Sequence, residues 1–234
     1  MPSLLDSGKI VGPGPVSIKQ IARRCNLQFP LSLRQFLNIR GCPFPSCVVL
    51  HIKVLETPRP ETIETMLRTM RQIYSTAGIR VVVGSRENLV GSAFTALLDV
   101  DCGNCDPDEA LPAEQDQLFQ NVNGVGENEI VIYFVRDTVP SHFGCATHPA
   151  NQPGAIVARR ADRWTLAHEV GHVLGLNHIT GEDTNCPPAN PHCCNTPDTT
   201  RLMTGCGTGG DTGSTIVTQD EINTMANSNL TNPC

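Results

Sequence analysis

The chain has 234 residues, a net charge of −6 and 39 % apolar residues, enough for one large domain or two small ones sharing a cleft. The negative charge is spread without long runs and only 4 % of residues are aromatic, so neither nucleic-acid binding, nor a basic membrane patch, nor a base-stacking surface is expected. The longest apolar run, CVVLHIKVL, is too short to span a bilayer.

Residues 1–46 read as an N-terminal arm of short amphipathic pieces broken by Gly and Pro, ending in RGCPFPSC. The opening MPSLLDSGKIVGPGP has no basic n-region followed by an apolar h-region, so no signal peptide is visible in it. CVVLHIKVLE then reads as a strand, dense in β-branched residues from Val48 to Val54. A helix follows in PETIETMLRTMRQIYSTAGI, where Ile63, Met66, Leu67, Met70, Ile73 and Tyr74 form one stripe and Gly78 closes it. IRVVVGS is a second strand, so strand, helix and strand imply a crossover onto a sheet. Asp99 to Gln117 reads as an acidic loop; its Asp99, Asp101, Asp106 and Asp108 can supply oxygens to calcium, although the spacing fits no EF-hand and a solvated loop is the simpler expectation. Asn128–Asp137 and Pro153–Arg159 are two further strands. A second helix begins near Asp162, a plausible N-cap. Residues 179–215 should be irregular, and a final helix starts at Thr218, where Thr-Gln-Asp-Glu makes a capping box.

Eleven cysteines favour an oxidising, extracellular setting, with a cytoplasmic protein as the alternative. Their odd number leaves at least one thiol free, metal-bound or paired with another chain. Cys42 with Cys47, and Cys102 with Cys105, are expected to form local disulfides, though Cys42 can also pair elsewhere. Asn229-Leu230-Thr231 is a glycosylation sequon, meaningful only on an exported protein.

The stretch HEVGHVLGLNH, His168 to His178, carries the chemistry. On a helix, residues four apart share a face, so His168 and His172 can direct imidazoles at one zinc ion. Glu169 is rotated about 100° from His168, which puts its carboxylate beside the metal's open position as a general base. A third ligand one turn further along a continuous helix would lie out of reach. Gly175 takes the left-handed conformation cheaply and ends the helix, so the chain turns back and His178 can approach the same ion. Three neutral histidines with one open position describe a catalytic zinc site.

HEVGHVLGLNH matches H-E-x-x-H-x-x-G-x-x-H, and the chain therefore resembles the metzincin clan of zinc metalloendopeptidases. RLMTG, residues 201–205, resembles the clan's Met-turn and implies that Met203 lies beneath the zinc. PGAIVAR resembles its edge strand, which implies that the backbone of Gly154, Ala155, Ile156, Val157 and Ala158 binds an extended substrate by strand addition. The resemblance spans residues 47–234. It implies an α+β zincin catalytic domain with a mixed sheet and two long helices above the zinc cleft (47–176) and a small, irregular, Cys-rich lower subdomain (177–234). The family within the clan stays open. Ile179 stands where matrixins have serine and reprolysins aspartate, Gly205 excludes the tyrosine ligand of astacins and serralysins, and His142 and His148 do not complete the matrixin second zinc site.

The expected function is hydrolysis of internal peptide bonds in protein or peptide substrates. One zinc-bound water attacks and Glu169 acts as general base. A monomer suffices. Specificity is expected from a pocket walled by the zinc helix and residues 179–205. Two other readings fit the same residues: a cysteine-stabilised binding module with a structural zinc, and an enzyme held latent by residues 1–46.

Overall fold

The computed structural model describes residues 46–105, 110–178, 201–204 and 217–234. The N-terminal arm up to residue 45, Cys42, Asp106 and Asp108, and most of the expected lower subdomain and pocket wall lie outside these residues.

Strand β1 (Ser46–Val54), helix α1 (Ile63–Thr76) and strand β2 (Ile79–Asn88) come first. They are followed by α2 (Ser92–Thr95), β3 (Asp99–Asp101) and α3 (Ala113–Phe119). Then come β4 (Ile130–Val135), β5 (Asp137–Val139), β6 (Gly144–Cys145) and β7 (Gly154–Ala158). Helices α4 (Thr165–Val173) and α5 (Gln219–Asn227) complete the described elements. The architecture is mixed α and β. The main sheet has the order β2-β1-β4-β7-β6, all parallel except β6, which runs antiparallel to β7. β3 and β5 pair in a separate two-stranded sheet.

Both faces of this sheet are covered, which explains the unbroken apolar runs in its strands. Val48, Leu50 and Ile52 of β1 turn one way, onto a core shared with α1 and α4. Val131, Tyr133 and Val135 of β4 turn the other way, under Leu97, Val100, Leu118 and Phe119 of the segment between β2 and β4. On the first face the predicted stripe of α1 is buried residue for residue. Its Tyr74 hydroxyl, fully buried, donates to the Ala167 carbonyl at 2.9 Å, tying α1 to α4. Burial pushes the Tyr74 hydroxyl pKa well above its ordinary value, so it remains a donor. No described helix is long and apolar enough to cross a membrane.

Three expectations are corrected. The acidic segment Asp99–Gln117 is not simply a loop, because it contains β3 and α3. Helix α3 follows Pro112, carries Glu114 and Asp116 in its first turn, and buries Gln115, Leu118 and Phe119. Two of its carboxylate neighbours are also engaged: Asp99 accepts from Arg136 Nε at 2.7 Å and Asp101 Oδ1 from the Gly103 N–H at 2.9 Å, so this segment supplies no described calcium cage.

Among the described residues the cysteine pairing is not local. Cys47 bonds to Cys234 and Cys105 to Cys145, while Cys102 is a buried free thiol. The first disulfide joins two segments that already meet, since Cys47 and Asn232 exchange backbone hydrogen bonds of 2.6 and 2.9 Å. Burial first, then nearby Asp101, Glu169 and Glu114, pushes the Cys102 thiol up to about 12, so it is not a ready thiolate.

Finally, PGAIVAR is not the edge strand. Residues Gly154–Ala158 are all buried, paired with β4 on one side and with β6 at Gly144 and Cys145 on the other. The Ala158 N–H also donates to the Phe143 carbonyl at 2.9 Å. The edge belongs to β6, and the outer backbone of β7 is taken at Ile156, Val157 and Ala158.

Candidate metal and catalytic site

Helix α4 owes its start to Asp162, whose Oδ1 accepts from the backbone N–H of Trp164 and Thr165 and from the Thr165 hydroxyl, each at 2.9 Å. Its end is a Schellman turn. Gly175 N–H donates to the His172 carbonyl at 2.8 Å, and Leu176 N–H to the Gly171 carbonyl at 2.9 Å. The turn needs Gly175 because its φ is +98°, a conformation strained for a residue with a side chain. The reversal brings His178 back over the face that carries His168 and His172.

The three Nε2 atoms converge, with His168–His178 and His168–His172 at 3.1 Å and His172–His178 at 3.0 Å. The edge of a tetrahedron with Zn–N bonds of about 2.0–2.1 Å is about 3.3–3.4 Å, so the triangle is close to that of a zinc site. The opposite ring nitrogens of two of the histidines are held by backbone carbonyls. Nδ1 of His168 lies 2.7 Å from Leu202 O, and Nδ1 of His172 lies 2.7 Å from Leu176 O. A carbonyl only accepts, so each Nδ1 carries the proton and each Nε2 presents its lone pair to the centre. Converging lone pairs repel one another unless a cation lies among them. Burial, reinforced by His172, pulls the His168 pKa from 6.5 to about 3, so this ring is neutral and ready to ligate at physiological pH. Among the described residues, these histidines are the one group of three or more ligating side chains arranged to hold a metal; His142 and His148 form no second one.

Glu169 sits next to this triangle and is nearly inaccessible, with 6 % of its surface exposed. Burial, then the nearby Asp162, raises its pKa from 4.5 to about 8. Gly144 of β6 lies against its carboxylate: a Cβ there would stand 2.5 Å from Oε1. Edge strand and candidate base are thus in contact, which only the absence of a side chain at 144 allows. Met203 is fully buried beneath α4, where a Cβ on Gly171 would come within 2.9 Å of its Sδ. Its turn is anchored by the Leu202 carbonyl on His168 and by the ion pair of Arg201 with Glu221, 2.7 Å long, and Glu221 also closes the capping box of α5. The structure therefore gathers His168, Glu169, His172, His178 and Met203 at one place, with Gly154–Ala158 one strand back from the edge. Sequence reasoning missed Gly144; its only local signal is a glycine in a short FGC segment.

No family model matches the chain, and no curated protein does. Among solved structures, archaemetzincin from Methanopyrus kandleri is 16 % identical, with 78 % of this chain and 87 % of that one covered at a TM-score of 0.39. Archaemetzincin from Archaeoglobus fulgidus, in complex with malonate, is 15 % identical over 57 % of this chain and 82 % of that one, at 0.35. The likeness is faint, and the chemistry of the site stands on the residues of this chain.

Two outcomes follow from the geometry. Gly175→Ala should cost about 1–3 kcal/mol in stability and weaken zinc binding by tenfold or more, read by denaturant unfolding and by competition with a chromogenic chelator; unchanged zinc affinity would contradict the role of the turn. In the metal-free protein, the folded state keeps a proton on Glu169 that the unfolded chain releases above about pH 4.5, so that residue costs stability progressively from there to about pH 8. Glu169→Gln should therefore be more stable than the parent at pH 8, by on the order of a few kcal/mol, with the gap closing towards pH 4.5. A gap independent of pH would refute the assignment.

Proposed function

We propose that the protein is a zinc-dependent endopeptidase of metzincin type, with His168, His172 and His178 as the metal ligands and Glu169 as the general base. The observation that carries this reading is the Nε2 triangle of 3.0–3.1 Å with a buried carboxylate beside it. Zinc, when bound, polarises a carbonyl and lowers the pKa of a water molecule to about 7. A wholly structural site would have four protein ligands and no use for a base. Among the described residues the converging ligands are three histidines, and Glu169 occupies a buried position beside them, the place of a general base.

In this mechanism the substrate backbone lies along the outer side of β6 and pairs with residues 143–145, where β-strand addition gives affinity largely independent of sequence. That position carries the scissile bond past Gly144 and so over the Glu169 carboxylate. Glu169 takes a proton from the attacking water at its carboxylate oxygen and returns it to the leaving amine. His168 and His172 hold their orientation through Leu202 O and Leu176 O, and Met203 supports the helix from below. Phe143, partly exposed and stacked under the Arg160 guanidinium at 4.9 Å, offers an apolar face beside the bound peptide. The two disulfides among the described residues support an oxidising, extracellular setting.

Cleavage of an unfolded protein substrate should be abolished by a zinc chelator and restored by added zinc. Glu169→Gln should retain one zinc per chain and lose activity by about 10²–10⁴-fold. Full activity in that variant would rule out the proposed base.

A further inference from the structure

A second constellation lies on the opposite face of the sheet from α4. Within β1, Leu50 and Ile52 face the core beneath α1 and α4, so alternation turns His51 the other way. The residue is 5 % exposed, and its imidazole is gripped at both nitrogens. Nε2 lies 2.7 Å from Glu129 Oε2 and Nδ1 lies 2.7 Å from Ser85 Oγ.

The proton positions follow from the partners. Glu129 Oε2 also accepts the Gly126 N–H at 2.7 Å, and that bond, with the one from His51, holds the Glu129 carboxyl below its ordinary range. An ionised carboxylate only accepts, so His51 Nε2 donates to it. In the neutral ring Nδ1 is then the acceptor, and the Ser85 hydroxyl must donate to it. A hydroxyl, a base and an orienting carboxylate in hydrogen-bonded series are the arrangement that activates a serine nucleophile.

The local backbone builds this contact. The β1–β2 register shifts between Leu50 and His51, which pair with Val83 and Ser85, leaving Gly84 as the extra residue of a bulge. A bulge re-aims the side chain beside it. At Gly84 a Cβ would stand 2.8 Å from His51 Cε1, so the glycine is what lets the bulged strand close on the ring. Ser85 is half-buried and flanked by exposed Gly84 and Arg86, on the outermost strand of the sheet. A small molecule can reach it; a folded substrate need not enter a cleft.

We propose that Ser85, His51 and Glu129 form a second, zinc-independent hydrolytic site for small carboxylic esters, with Ser85 as nucleophile, His51 as general base and Glu129 as the positioning residue. Ser85 Oγ bonds to the acyl carbon while its proton passes to His51 Nδ1. The bond from the acyl carbon to the leaving oxygen breaks, and that oxygen takes the proton from Nδ1. Water then attacks the acyl group on Ser85, giving its proton to Nδ1, and the departing Ser85 Oγ takes it back. Glu129 stabilises the imidazolium formed in each half.

The test uses the full zinc-loaded chain, a fluorophosphonate probe with peptide mapping, and 4-nitrophenyl acetate. The expected result is one adduct, on Ser85, and ester hydrolysis that vanishes in Ser85→Ala. His51→Gln should slow adduct formation by about 10²-fold or more, and Glu129→Gln should slow it less, with unchanged circular dichroism verifying the fold of each. Should His51→Gln fail to fold, the half-exposed Ser85→Ala and Glu129→Gln decide the matter. Absence of an adduct on Ser85 overturns the proposal, as does labelling at an equal rate in a folded His51→Gln or in Glu129→Gln; the three residues would then be only a cross-strand link.

Discussion

The histidine triangle depends on the reversal of the chain at Gly175. A helix alone presents His168 and His172 on one face and carries the next residues away along its axis. The Schellman turn stops that advance after Val173, and its φ of +98° sends the chain back so that His178 closes the triangle. The same turn presents the Leu176 carbonyl to His172 Nδ1, so one backbone feature brings in the third imidazole and fixes the tautomer of the second. Fold and ligand chemistry are thus joined within eleven residues.

The rest of the molecule holds that turn's helix in place. Asp162 satisfies the first N–H groups of α4, and Tyr74 fastens it to α1. Met203 fills the space beneath it against Gly171, while Leu202 orients His168. These contacts come from the residues just before the helix and from two distant parts of the chain, and each ends on a buried polar atom or a close-packed surface. They confine Glu169 to a dry position where burial raises its pKa to about 8. A carboxylate so placed is costly to ionise in isolation. A divalent cation among the histidines would offset that cost by its charge, so in the proposed mechanism metal binding and the readiness of the base are linked.

Much of this was legible in the sequence, for local reasons. The stripe of α1, the capping box of α5 and the dense β-branched strands β1 and β4 announce themselves through period and composition. The eleven-residue motif likewise contains its own turn. What escaped was non-local or short. β3, β5 and β6 span two or three residues each, too few for any period to show. Helix α3 was hidden by acidic composition, although Pro112, Glu114 and the pair Leu118 and Phe119 mark it in retrospect. The edge position belongs to β6 because of sheet order, and β7 alone carries no sign that a neighbour lies outside it. Cys47 pairs across 187 residues and His51 meets Glu129 across 78, separations that no spacing rule reaches.

The central claim is that three histidines hold one zinc and leave a position open. X-ray absorption at the zinc edge of the metal-loaded chain tests it most directly. The account predicts three imidazole nitrogens and one exchangeable oxygen at about 2.0–2.1 Å. A sulfur shell at about 2.3 Å, or a fourth protein ligand that no water displaces, would make the zinc structural and contradict it.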